Sequence, residues 1–270
     1  HISEIPSADL NYAVVIPSFY EENIISALDA LWDTERPDAA IEVIVVINEQ
    51  EGTSEEIHKV NIRTYEAIEN WKKQHEDERF KVFSIFADNL PIQHAGVGLA
   101  RKIGMDEAVR RFNQINNPNG LIFSFDADCV CDRNYFTETE AFLKKYPQAD
   151  GFNFYFEHPL AGTEFPEEVY KGIIQYELHL RYYIQGLRYA GFPHAFHTIG
   201  SCYAVRASTY VLQGGMNRRK SGEDFYFLHK IIPLGNFYEI NTTRVLPSPR
   251  PSMRVPFGTG PAVHKYLQTN

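Results

Sequence analysis

Two carboxylates stand two residues apart at the end of an apolar run: Asp126 and Asp128, in LIFSFDADCVCD at 121–132. A strand buried on both faces is a near-continuous apolar sequence, and this one stops abruptly in charge. Ligands of open α/β sheets bind outside the carboxyl ends of the strands. Hard oxygen ligands there suit Mg²⁺ or Mn²⁺, and those ions suit phosphate-bearing substrates. The chemistry indicated is a metal–nucleotide site, and the plain alternative is an acidic turn closing a strand. A second acidic pair, Glu223 and Asp224, follows Gly222 and opens a short apolar segment that ends near Pro233. Such a pair can cap a helix, where the macrodipole favours a carboxylate, or take a proton as a general base. Near the end of the sequence, Arg250, Arg254 and His264 lie among Pro and Gly residues. Arginine grips phosphate through two parallel hydrogen bonds, and the run Gly258, Thr259, Gly260 permits close backbone approach.

Positioning these groups requires a layered scaffold, and the periodicity supplies one. Apolar β runs are expected at 12–16, 41–47, 80–86 and 121–125. Between them, 22–32, a segment opened by a capping box of Thr53 and Glu56, and 96–112 carry apolar residues at helical spacing. Alternating strands and amphipathic helices build parallel βαβ units and a doubly wound sheet. The second half differs, with strands expected at 151–156, 198–205 and 236–246. A long helix is expected from Pro166 to about Ala190, its tyrosines (Tyr170, Tyr176, Tyr182, Tyr183, Tyr189) taken as core. From 247 to 262 no period is evident. No glycine-rich phosphate loop follows any strand, which argues against a dinucleotide-binding dehydrogenase and a P-loop NTPase.

The chain has 270 residues, 44% of them hydrophobic, and a formal net charge of −9. An acidic chain of this kind is a poor binder of nucleic-acid backbones. Cys129, Cys131 and Cys202 are too few and unevenly spaced for a disulfide framework or a structural zinc site. Reduced packing cysteines and a cytoplasmic location are the expectation. No apolar run approaches membrane-spanning length and no signal-peptide pattern is present, while peripheral membrane contact stays open.

The order of elements resembles the family 2 glycosyltransferases with the GT-A fold. The likeness rests on AVVIPSFYEEN (13–23), GVGLARKIGMDEA (96–108), FSFDADCV (123–130), IGSCYAVRASTYVLQGG (199–215) and GEDF (222–225). It implies one GT-A-type α/β domain over 1–270, its doubly wound, mostly parallel sheet flanked by helices. Within it, 1–132 would be the nucleotide-binding half, 133–246 a smaller mixed acceptor half, and 247–270 a C-terminal segment able to act as a flap. The implied activity is metal-dependent, inverting transfer of a sugar from a nucleotide-diphosphate sugar, UDP- or GDP-linked, to a carbohydrate or glycolipid hydroxyl. By resemblance, Asp128 ligates Mn²⁺ or Mg²⁺, Asp126 faces the ribose or the ion's water, and His264 supplies a nitrogen ligand, with His197 as its rival. Asp224 would be the general base and Glu223 its acceptor-positioning neighbour. Pro17, Ser18, Glu21, Asn48, Arg101, Arg250 and Arg254 would form the donor pocket. The plain readings are strand termination for Pro17, a solvated helix start for Glu21 and a solvent-facing helix flank for Arg101. Departures from the pattern are Tyr20 for the usual Asn, Asn48-Glu49-Gln50 for Asp-Asp-Gly, and Lys102 for Asn. Two alternatives stay open: a nucleotidyltransferase of related fold and a non-catalytic sugar-nucleotide-binding protein.

Overall fold

The computed structural model describes residues 1–269. An eight-stranded sheet forms the middle layer. Its strands are β1 (Leu10–Ser18), β2 (Ala40–Gln50), β3 (Phe80–Leu90), β4 (Leu121–Ser124), β5 (Cys129–Cys131), β6 (Gly151–Phe156), β7 (Tyr203–Arg206) and β8 (Phe237–Pro247). The spatial order is β3-β2-β1-β4-β7-β6-β8-β5. β3, β2, β1 and β4 pair in parallel, the expected doubly wound half. β7 runs antiparallel to both β4 and β6, β8 runs parallel to β6, and β5 runs antiparallel to β8. The antiparallel pairs therefore all involve the later strands, where a mixed half was expected.

The helices are α1 (Ile24–Trp32), α2 (Glu55–Lys72), α3 (Val97–Gln114), α4 (Tyr135–Lys145), α5 (Glu167–Tyr189), α6 (Ala207–Leu212), α7 (Glu223–Ile231) and α8 (Thr259–Thr269). Alternate residues of β1 and β2 point to opposite faces, as the strand period demands. Tyr12, Val14, Ile16, Val43 and Val45 pack against α1, α2 and α4. Ala13, Val15, Ile44 and Val46 pack against α3, α6 and α7. A small third cluster, Val169, Ile173 and Val263, fastens α8 to α5.

Several expectations are corrected. Ser54, not Thr53, caps α2, its hydroxyl accepting from the Ile57 amide at 3.4 Å. The Thr53 hydroxyl turns back to the Gln50 carbonyl at 2.7 Å. β2 continues to Gln50 because its pairing with β3 continues to Leu90. The strand expected at 198–205 is confined to β7, since 198–201 leaves the sheet to line a cleft. α4 and α8 carried no recognised signal. The tyrosines of α5 divide: Tyr170 is buried, whereas Tyr182, Tyr183 and Tyr189 are exposed, so core is wrong for those three. Tyr20, at the Asn position, holds φ at 51°, the left-handed region that Asn tolerates better than Tyr.

A buried ion pair ties α3 to the sheet. The Arg111 guanidinium, fully buried, donates through Nε and Nη2 to the Glu42 carboxylate on β2, the second bond at 2.5 Å. Removing one partner of such a pair leaves a desolvated charge, costing about 3–5 kcal/mol. Glu42→Ala is therefore expected to lower the urea midpoint sharply, and the double variant Glu42→Leu/Arg111→Met to recover most of the loss. A double variant no more stable than the single would show that the charges are not the cause.

Candidate active site

The carboxyl ends of β1, β2 and β4 meet the start of α7 around one cleft of about 1020 Å³. Its lining includes Pro17, Ser18, Glu21, Asn48, Arg101, Asp126, Asp128, Glu223, Asp224, Arg250 and Arg254. These residues, up to 237 positions apart in sequence, are thus brought together. His264 does not line this cleft, and its Nε2 lies 2.8 Å from the Gln268 amide on α8. His197 does not line it either. Burial, and then the charges of Arg181 and Arg188, hold its pKa down at about 4.

Arg101 organises the cleft floor. It lies one turn into α3 and is buried, not solvent-facing. Its Nε donates to Glu223 at 2.9 Å, Nη1 to the Ser124 hydroxyl at 2.6 Å, and Nη2 to Asp126 at 2.5 Å. One guanidinium therefore joins the strand motif to the acidic pair of α7. Ser124 passes the contact on, donating to the Gly200 carbonyl at 2.6 Å. A Cβ on Gly200 would stand 2.8 Å from Arg101 Nη2 and 3.2 Å from Asp224 Oδ2. A side chain there would displace the guanidinium from its present seat.

Asp128 keeps 32% of its side-chain surface open to the cleft, with protein around the rest. Burial first, then the neighbouring Asp126 charge, push its pKa up to about 6 against the pull of Arg250. The ligating atoms of Asp126, Asp128 and Cys129 lie within 4.8 Å of one another. Burial pushes the Cys129 thiol well above its ordinary range, so it stays protonated and is a poor ligand for a hard ion. The two carboxylates fit Mg²⁺ or Mn²⁺ as a partial oxygen set of the kind substrate phosphates complete.

Asp224 occupies the first turn of α7, after Gly222 turns the chain at φ 68°. Its Oδ1 accepts from the Phe225 amide at 2.7 Å. Burial, and then the charge of Glu223, raise its pKa to about 7, against the Phe225 amide and Arg101. A carboxylate with a pKa near neutrality is suited to accept a proton.

The segment from Ser248 to Gly258 straps across the first loop. Arg250 donates to Glu21 at 3.1 and 2.5 Å and to Asp128 at 3.3 Å. Arg254 donates to the Phe19 carbonyl at 2.9 Å and reaches Glu21 at 3.4 Å. Glu21 is buried, so it is not a solvated helix start. Burial alone would raise its pKa, but the Arg250 hydrogen bonds and charge outweigh that and hold it below the usual range. Where the strap enters α8, Thr259 meets the buried His158, whose Nε2 lies 3.0 Å from the Thr259 hydroxyl.

Three participants had been given no role. Ser124 sits inside an apolar strand, and a polar residue in such a run is itself a signal. Glu49 is buried at the end of β2, accepting from His58 and from Asn61 at 3.0 Å, while Asn61 accepts from the Tyr20 amide at 2.8 Å. Gly200 required the folded backbone to be noticed. The Ser18 hydroxyl is buried against the cleft with no hydrogen-bond partner among the described residues.

Solved structures share this architecture. S. aureus TarS 1–349, in complex with UDP-GlcNAc, matches with a TM-score of 0.58 at 14% identity, over 91% of this chain and 60% of that one. The Pyrobaculum calidifontis mannosyltransferase PcManGT, with GDP-Man and Mn²⁺, matches with a TM-score of 0.54 at 14% identity, over 90% and 59%. GalNAc-T7, with UDP, GalNAc and Mn²⁺, matches with a TM-score of 0.53 at 16% identity, over 88% and 44%. The chain spans less than two thirds of the length of each. No protein-family model and no curated protein matches the sequence. With its sheet order, cleft and structural likenesses taken together, the chain has the GT-A glycosyltransferase fold.

Proposed function

We propose that this chain is a glycosyltransferase of the family 2 type. It would move a hexosyl group from a nucleotide-diphosphate sugar, UDP- or GDP-linked, to an acceptor hydroxyl, with inversion. The observation that carries this reading is the convergence of Asp126, Asp128 and Asp224 on one cleft around the buried Arg101. The residues preceding β5 would hold the diphosphate, those opening α7 would receive the acceptor, and residues 247–270 would cover the donor as a flap, all within one working domain.

Transfer requires leaving-group charge to be stabilised, the acceptor to lose a proton, and both to be held in line. Asp128 and Asp126 would hold Mn²⁺ or Mg²⁺, which when bound neutralises charge on the diphosphate as a Lewis acid. Arg250 and Arg254 are placed to exchange carboxylate partners for phosphate oxygens, since both present forks suited to either. The unpartnered Ser18 hydroxyl, with Asn48 and Pro17, would face the nucleoside. Asp224 would take the acceptor proton as the anomeric bond breaks, while Glu223, fixed by Arg101, positions its neighbour. Strap closure would exclude water and suppress hydrolysis of the donor.

Melting temperature measured with UDP, GDP, dTDP and CMP, each with and without Mn²⁺, tests the reading. A ligand at about 100 times its Kd adds roughly 2.7 kcal/mol, or about 5–10 °C for a domain of this size. One diphosphate is expected to stabilise the protein in the presence of Mn²⁺, and Asp128→Ala to abolish the metal-dependent part. No shift with any nucleotide would remove the basis of the proposal. A second reading, in which the arginines alone neutralise the diphosphate, is favoured by the Arg250–Asp128 contact; under it, EDTA leaves the shift intact.

No helix among the described residues is long and apolar enough to cross a membrane. The three cysteines are free, which fits the proposed cytoplasmic location. The acceptor is proposed to be a carbohydrate or glycolipid, reached from solution or by peripheral membrane contact.

A further inference from the structure

The chain is acidic as a whole, yet three consecutive cations, Arg218, Arg219 and Lys220, stand just before the candidate base Asp224. They are exposed. Lys220 lines the cleft, as does Lys265 from α8. Arg218, Lys220 and Lys265 make no ion pair among the described residues, whereas Arg101, Arg110, Arg111, Arg250 and Arg254 are all engaged with carboxylates.

This basic loop is held in place. Asn217 clamps it from both sides: its Oδ1 accepts from the Arg219 amide at 3.1 Å and its Nδ2 donates to the Glu223 carbonyl at 2.7 Å. The Arg219 guanidinium lies over the Tyr226 ring at 3.6 Å. The Arg219 carbonyl accepts from the Gly98 amide at 3.2 Å. A Cβ on Gly98 would stand 2.2 Å from that carbonyl, so this close seating depends on glycine. The loop is thereby pressed onto the N-terminal turn of α3, where Gly96 provides no side-chain cap. The Arg219 carbonyl thus satisfies one amide of that turn, while the helix dipole still adds positive potential at the same place. Unpaired cations favour an anion, and they do so next to the group proposed to deprotonate the acceptor.

We infer that the acceptor is anionic, carrying phosphate or carboxylate groups that Lys220, on the cleft wall, and the adjoining Arg218, at its rim, hold while its hydroxyl faces Asp224. The inference rests on the glycosyl-transfer reading and adds the chemical class of the acceptor. Carboxylate and phosphate acceptors share this charge recognition, and the test separates them. On the proposed function the donor's diphosphate would bind at Asp128 and Arg250, so donor binding should not need this loop.

The test measures binding of three labelled oligomers by fluorescence anisotropy: maltohexaose, its O6-phosphorylated derivative, and hexagalacturonate. Wild type and Arg218→Gln/Lys220→Gln are compared at low and at high salt, alongside their melting-temperature shifts with UDP or GDP and Mn²⁺. At least one charged oligomer is expected to bind wild type about 10-fold more tightly than maltohexaose, and to lose most of that advantage in the variant and in high salt. Which one prevails identifies phosphate or carboxylate. The nucleotide shift should be equal in both proteins. Equal binding of all three oligomers, or an unchanged preference in the variant, overturns the inference. So does loss of the nucleotide shift in the variant, which would assign the loop to the donor. Oligomers are read without donor, so a protein that selects the charged oligomers but binds no nucleotide sinks the transferase reading and leaves the anion site standing.

Discussion

Asp224→Asn is expected to lower kcat by about 10²–10⁴-fold, the usual contribution of a positioned base, with KM for the donor little changed. In wild type, kcat should rise tenfold per pH unit below about 7 and level off above it, because burial and the Glu223 charge place the Asp224 pKa there. The same shift gives the variant an opposite effect on stability. Between about pH 4 and 7 the folded protein holds a proton that the unfolded chain has released, so stability falls as pH rises through this window. Above it, the ionised Asp224 carries its full unfavourable burial. Asn has no charge to bury, so the variant should melt about 2–5 °C above wild type at pH 8 and at the same temperature near pH 4. Unchanged turnover would remove Asp224 from the mechanism, and would favour the non-catalytic binding protein if nucleotide binding also persisted. A melting difference independent of pH would show that the carboxylate is not strained by burial.

Arg101→Met should be the most damaging single substitution in the cleft. Glu223 is buried, and without the guanidinium its charge has no compensation, a loss of about 3–5 kcal/mol. Asp126 is partly open to the cleft and should suffer in position more than in energy. Arg101→Lys keeps the charge but cannot satisfy Glu223, Ser124 and Asp126 in one plane, so it should fold and lose at least about 10-fold in kcat/KM. Adding Glu223→Gln to Arg101→Met should restore part of the stability, because the unpaired charge disappears. If the double variant unfolds as readily as the single, volume and not charge is what Arg101 provides.

The parallel half was legible in sequence because strands buried on both faces leave continuous apolar runs. The Asp126, Asp128 and Asp224 motifs were legible because they end such runs or begin a helix. Other features were not, each for a physical reason. α4 begins with Tyr135 and Phe136, which suit a strand equally well, and only their packing on Phe123 and Phe154 shows why a helix forms there. α8 is short and preceded by prolines and glycines, and it becomes stable by docking Val263 on α5. Arg101 gave no sign of burial, because the charges that compensate it lie 25 and 122 positions away. Glu21 looked exposed for the same reason, its arginines lying more than 200 positions further on. An apolar stripe does not reveal whether anything covers it, and so Tyr182, Tyr183 and Tyr189 were misplaced.

The strap has a consequence for the order in which the molecule is completed. During synthesis the parallel half of the sheet can assemble long before Arg250 and Arg254 leave the ribosome. Until they do, Glu21 and Asp128 stand as uncompensated negative charges at the open end of that half. A chain interrupted near Pro247 would hold every carboxylate of the cleft and lack the cations that balance two of them. Competence for the proposed anionic ligand would thus be acquired only once the strap has followed the sheet, and products truncated near Pro247 should be well folded in their parallel half and unable to retain a nucleotide.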